Sequence, residues 1–166
     1  MSPADLVVLS ASAVATVTDV RTRRIPNAVV AALCTAGAAL CLRQGPSHLL
    51  VFAAILIVAL LAGTLAHASG IVGGGDVKFI SAATATLGLH DAPLFLAATF
   101  AAGGVLALVV ALQRGELRAT LRNVVFLTTP LLAGVRPAPL TAGTKIPYSL
   151  AFLSGALAVT IAHVIP

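Results

Sequence analysis

Gly73-Gly74-Gly75-Asp76-Val77-Lys78 places one acid and one base beside three glycines at the end of a long apolar run, Leu49 to Ala66. Asp19 closes the first apolar run of the chain in the same way. Ionisable side chains at the edge of a membrane span are costly to place, and they mark functional sites more often than other positions do. Two carboxylates brought to one face of a helical bundle cannot both ionise freely, so they are expected to share a proton. The ionised member then activates a water and the protonated member polarises a carbonyl, which is the chemistry of aspartic proteolysis. It needs no metal, no cofactor and no covalent nucleophile. The glycines have a matching role, because an extended peptide backbone lies against the Asp76 loop only where no side chain stands in the way.

The elements that position these residues follow from composition. Of 166 residues, 59% are hydrophobic and 9% charged, with a mean hydropathy of +1.07. Soluble domains carry about 25% charged residues. The chain therefore reads as all-α: a polytopic transmembrane bundle forming a single integral-membrane domain over 1–166. The formal charge of +5 invites a nucleic-acid reading, but aromatics are 4% and the basic residues lie between apolar runs. No nucleic-acid partner is expected; the lipid bilayer is.

Six spans are expected. Run one covers about Pro3 to Thr18, and run two about Ala28 to Leu42, opened by Pro26 in its first turn. A turn over Arg43 to His48 leads to run three, Leu49 to about Ser69. Run four, Phe79 to Leu89, closes at His90-Asp91-Ala92-Pro93; run five continues to about Leu112, and run six covers Ile146 to Ile165. The stretch 124–135 is short and broken by Pro130, so it reads as interfacial or re-entrant. With the N-terminus outside, Arg21, Arg23, Arg24, Lys78, Arg114, Arg118, Arg122, Arg136 and Lys145 all face the cytoplasm and only Arg43 faces out, as the positive-inside rule requires. Asp19 and Asp76 then share the cytoplasmic side. The arginines read as topology anchors, Glu116 as a solvated partner for its neighbours, and Lys78 as an interfacial cation.

Cys34 and Cys41, seven apart in one run, sit about 10 Å apart along a helix, which is too far for a disulfide. No Cys-x-x-Cys pair exists for zinc. His48, His90 and His163 fall on the outer side together, where ordinary loop histidines are a better reading than a metal cluster. His67, two turns before Asp76, is a bundle histidine.

Three motifs resemble one family. Asp19 with Arg21 and Ile25-Pro26-Asn27 looks like the first-aspartate motif of type IV prepilin peptidases. Gly73-Gly74-Gly75-Asp76 matches their Gly-x-Gly-Asp motif, and Lys145-Ile146-Pro147-Tyr148 resembles the Pro-Tyr opening of their last helix. The resemblance implies an aspartic endopeptidase of the bacterial inner membrane that removes the basic leader of prepilin-like substrates at the cytoplasmic face. Asp19 and Asp76 would be catalytic. Gly73, Gly74, Gly75, Lys78, Pro26, Asn27, Pro147 and Tyr148 would bind substrate or support the pair. Larger family members carry a four-cysteine cytoplasmic insert linked to N-methylation; here span one passes directly to span two. The likeness is thus to the short, peptidase-only branch serving tight-adherence (Flp-type) pili, without methyltransferase activity. The competing readings are an intramembrane-cleaving protease of the Gly-x-Gly-Asp type, and a transport or assembly subunit using both aspartates as a proton relay.

Overall fold

The computed structural model describes residues 1–68, 72–113, 115 and 148–165. Among them the chain is all-helical. Helix α1 (Pro3–Thr22) starts on a capping box, in which Ser2 Oγ accepts from the Asp5 N–H and the Asp5 carboxylate accepts from the Ser2 N–H. It runs a turn beyond the expected end at Asp19 and stops at Arg23, which is left-handed (φ 53°) and donates its N–H to the Asp19 carbonyl. Extended Pro26 caps α2 (Asn27–Gln44), so the proline precedes the helix instead of opening its first turn. Gly45 (φ 128°) alone separates α2 from α3 (Pro46–Ala68), a tighter joint than the expected turn through His48.

Runs four and five follow one another in α4 (Gly74–Gln113), whose 40 residues are two helical parts meeting at a kink. The break falls at Gly88 (φ 74°, ψ −179°), earlier than the expected His90–Pro93 boundary. The left-handed φ asks for glycine, and the break lies upstream of Pro93, whose ring has no N–H to continue a helical ladder. The last helix, α5 (Ser149–Ala162), is shorter than the expected sixth run. Four helices, α1 to α4, are long and apolar enough to cross a membrane. The stretch 124–135, Glu116 and Pro147 lie outside the described residues.

Large apolar side chains cover the outside of the bundle: Leu50 and Leu65 on α3 are each 72% exposed, and Phe52 is the one buried residue of that helix. The interior holds alanines, four phenylalanines (Phe52, Phe79, Phe95, Phe152) and hydroxyl residues. This distribution suits lipid as solvent, where small residues let helices approach closely. Thr16, Thr84, Thr86 and Thr160 donate to carbonyls four residues back, so their hydroxyls are satisfied without water. Helix α4 is the hub, packed against α2, α3 and α5, while α1 packs against α2 and α5. Phe79 of α4 stacks on Phe152 of α5 with centroids 5.1 Å apart. Cys34 and Cys41 are free, as their spacing requires.

Candidate active site

Asp19 lies in the last turn of α1 and is buried. Its Oδ2 accepts the Ser149 backbone N–H at 3.4 Å, at the N-terminal end of α5. One turn earlier, Thr16 Oγ1 donates to the Ser149 carbonyl at 3.0 Å. The end of α1 is thereby pinned to the start of α5, and the Asp19 carboxylate faces the positive end of a helix dipole.

Asp76 sits in the first turn of α4 and is half-buried. The Gly73 backbone N–H donates to its carboxylate, the reach-back half of a capping box. Gly73 has a specific reason to be glycine, since a Cβ there would stand 2.7 Å from Asp76 Oδ2. The glycine turn is braced from α3, where His67 Nδ1 meets the Val72 carbonyl at 2.8 Å and the imidazole packs over Gly74. Gly75 faces Ile25, which brings the α1–α2 connection against the α4 turn. Asp19 and Asp76 thus come from separate helices to one end of the bundle, close enough for direct charge–charge interaction.

Beside Asp76 a cavity of about 460 Å³ runs between α3, both parts of α4 and α5. Gly63, Thr99, Gly103, Tyr148 and Phe152 are among its walls. Thr99 Oγ1 is buried with no hydrogen-bond partner among the described residues. Tyr148 is partly exposed and packs over Gly103. Of the other expected site residues, Lys78, Pro26 and Asn27 are exposed near the same end, and Pro147 is not described. His67, expected as a bundle histidine, makes its hydrogen bond to the glycine turn, whereas the Ser149 N–H contact depends on a backbone position that no side-chain pattern announces.

A second cluster occupies the opposite end of α1. Buried Asp5 meets His163 Nδ1 at 2.9 Å, beyond the end of α5. His163 Nε2 lies 3.4 Å from Asp91 Oδ1, and the same oxygen is 2.6 Å from His90 Nδ1. His48, expected as a loop residue, stands in the first turn of α3 and lines a cavity of about 350 Å³ together with His90 and Asp91. The histidines expected on the outer side therefore do converge in part, with acids between them. Asp5 and Asp91 fall on the same side in the charge-based topology, which was the available signal.

A family model described as the type IV leader peptidase family matches residues 6–108, more than half of the chain. The match takes in Asp19, Pro26, Asn27 and the Gly73–Lys78 turn, and ends short of Tyr148. No curated protein and no solved structure matches the chain.

Proposed function

The chain belongs to the type IV leader peptidase family, and from that premise we propose that it is an aspartic endopeptidase in which Asp19 and Asp76 form the catalytic pair. The observation that carries this reading is their convergence from α1 and α4 to one end of the bundle, within charge–charge range, beside a cavity between helices. The pair holds one proton between two carboxylates. The ionised member removes a proton from a water as that water attacks the scissile carbonyl, and the protonated member donates to the carbonyl oxygen. Collapse of the tetrahedral adduct expels the new amine with a proton from the pair.

The substrates are prepilin-like: a short basic leader followed by a hydrophobic helix, cut at the junction. The groove lined by Ala59, Ala62 and the open face of Gly104 suits the helix, because small residues permit close backbone approach. The basic leader meets the open end where the two acids lie. The pair faces the cytoplasm, with six spans and both termini outside, in the bacterial inner membrane; one domain covers 1–166. The direct α1–α2 connection and the placement of both cysteines within α2 favour the peptidase-only, tight-adherence branch without methyl transfer. A proton relay would place its acids nearer mid-bilayer.

The test is co-expression of the chain with a prepilin-like precursor, read as a gel shift and by mass of the mature product. A cut at the leader–helix junction is expected. A precursor that stays whole at normal enzyme levels, across several prepilin-like substrates, would remove the proposal.

A further inference from the structure

We propose that His90, Asp91 and His163 form a divalent zinc site at the end of the bundle opposite Asp19 and Asp76, with Asp5 as the residue that orients His163. The fourteen-residue step from Asp5 to Asp19 along α1 separates the two ends by about 21 Å. The proposed site is thus distinct from the peptidase pair and does not rest on the peptidase reading.

Three ligand atoms, one each from His90, Asp91 and His163, lie within 4.8 Å of one another. Zinc takes imidazole nitrogen and carboxylate oxygen at about 2.0–2.2 Å, and tetrahedral ligands at that distance stand about 3.3 Å apart. The His163 Nε2 to Asp91 Oδ1 separation is 3.4 Å, already that of two ligands on one ion. His90 Nδ1, at 2.6 Å from the same oxygen, must open by about 0.7 Å to reach that spacing. The His90 side chain is 91% exposed and has room to do so.

The arrangement behind the ligands is the stronger argument. His163 Nδ1 is held by Asp5 at 2.9 Å, and the Asp5 side chain is fully buried. A buried carboxylate on one ring nitrogen fixes the tautomer and turns the lone pair of the other nitrogen outward, as in carboxylate–histidine–zinc triads. That nitrogen lies 3.4 Å from Asp91 Oδ1, another electron-rich atom. Only a proton or a cation between them makes such a contact favourable. Asp5 itself has an unmet demand: Oδ2 takes the Ser2 N–H and His163, while buried Oδ1 has no partner among the described residues. The backbone serves the same end, because the break at Gly88 starts a new helical segment just before His90 and Asp91. Three protein ligands leave a fourth position for water, and His90 and Asp91 border the cavity that His48 also lines. An ion here would tie the start of α1, the α4 break and the end of α5.

The experiment uses the full chain, purified in detergent on a tag without histidines, stripped with chelator and given zinc chloride. Bound zinc after desalting is read by mass spectrometry and stability by thermal unfolding. We expect about one zinc per chain, a raised Tm, and Co²⁺ substitution giving the visible bands of a tetrahedral nitrogen–oxygen site without a thiolate charge-transfer band. Asp91→Asn and His163→Gln should each lower zinc affinity at least tenfold, and Asp5→Asn by about 10–100-fold as a positioning residue. Cys34→Ser/Cys41→Ser should retain full binding. Should a ligand variant fail to fold, the cobalt spectrum and zinc-dependent Tm of the wild type still decide. A wild type that retains no zinc and shows no Tm response overturns the site, leaving a hydrogen-bonded cluster. Binding lost in the cysteine variant but kept in Asp91→Asn overturns it equally.

Discussion

Gly155→Ala gives the sharpest test of how the bundle is closed. Gly155 lies on the α5 face that meets α4. A Cβ there would collide with Thr99 Oγ1, stand 2.8 Å from the Phe95 carbonyl oxygen and 3.0 Å from the Phe95 ring. The hydroxyl can rotate away, but the carbonyl is backbone and yields only if the helices separate. Overpacking of this kind costs about 1–3 kcal/mol. Helix propensity returns little, since in a membrane environment the helix persists in the denatured state. A 2 kcal/mol loss lowers Tm by roughly 4–8 °C for a chain of this size. Gly104→Ala is the control, because a Cβ there meets nothing within 4 Å; its Tm should lie within about 2 °C of wild type, the surface-substitution range. Thr99→Ala added to Gly155→Ala should recover part of the loss, since the Phe95 carbonyl remains. Thermal unfolding of the three variants in one detergent reads all of this. A Gly155→Ala variant as stable as Gly104→Ala would refute the close α4–α5 contact, and with it the Ser149 N–H placement that α5 provides to Asp19.

Two further substitutions probe the glycine turn and its brace. Gly73→Ala puts a methyl group 2.7 Å from Asp76 Oδ2, so cleavage in membranes should fall at least tenfold while Tm changes by less than about 2 °C; unchanged cleavage would show that the carboxylate need not hold this position. His67→Ala removes the hydrogen bond to the Val72 carbonyl, worth about 1 kcal/mol. Cleavage should drop roughly fivefold with precursor affinity little changed, and an unaltered rate would release His67 from any bracing role.

The legible parts of this chain were those that lipid and charge dictate. Hydropathy located α1, α2 and α3, and the glycines before Asp76 pointed to a turn where backbone must come close. Joint positions were less legible. Asp19 does not end its helix, because an arginine accepted the left-handed cap four residues later. The α4 break is set by Gly88, where a single φ matters, although Pro93 gave the louder sequence signal. Two polar contacts were beyond sequence reach because they join residues more than a hundred positions apart: Ser149 with Asp19, and His163 with Asp5.

The central claim is that Asp19 and Asp76 act together on a peptide bond. It is tested most directly by Asp19→Asn and Asp76→Asn, each co-expressed with a prepilin-like precursor and matched for membrane level. Asparagine keeps size and polarity but cannot hold the shared proton. Accumulation of uncut precursor with each variant, at least a thousandfold slower than wild type (about 4 kcal/mol of transition-state stabilisation), is the predicted result. Either variant cutting at the wild-type rate would contradict the account.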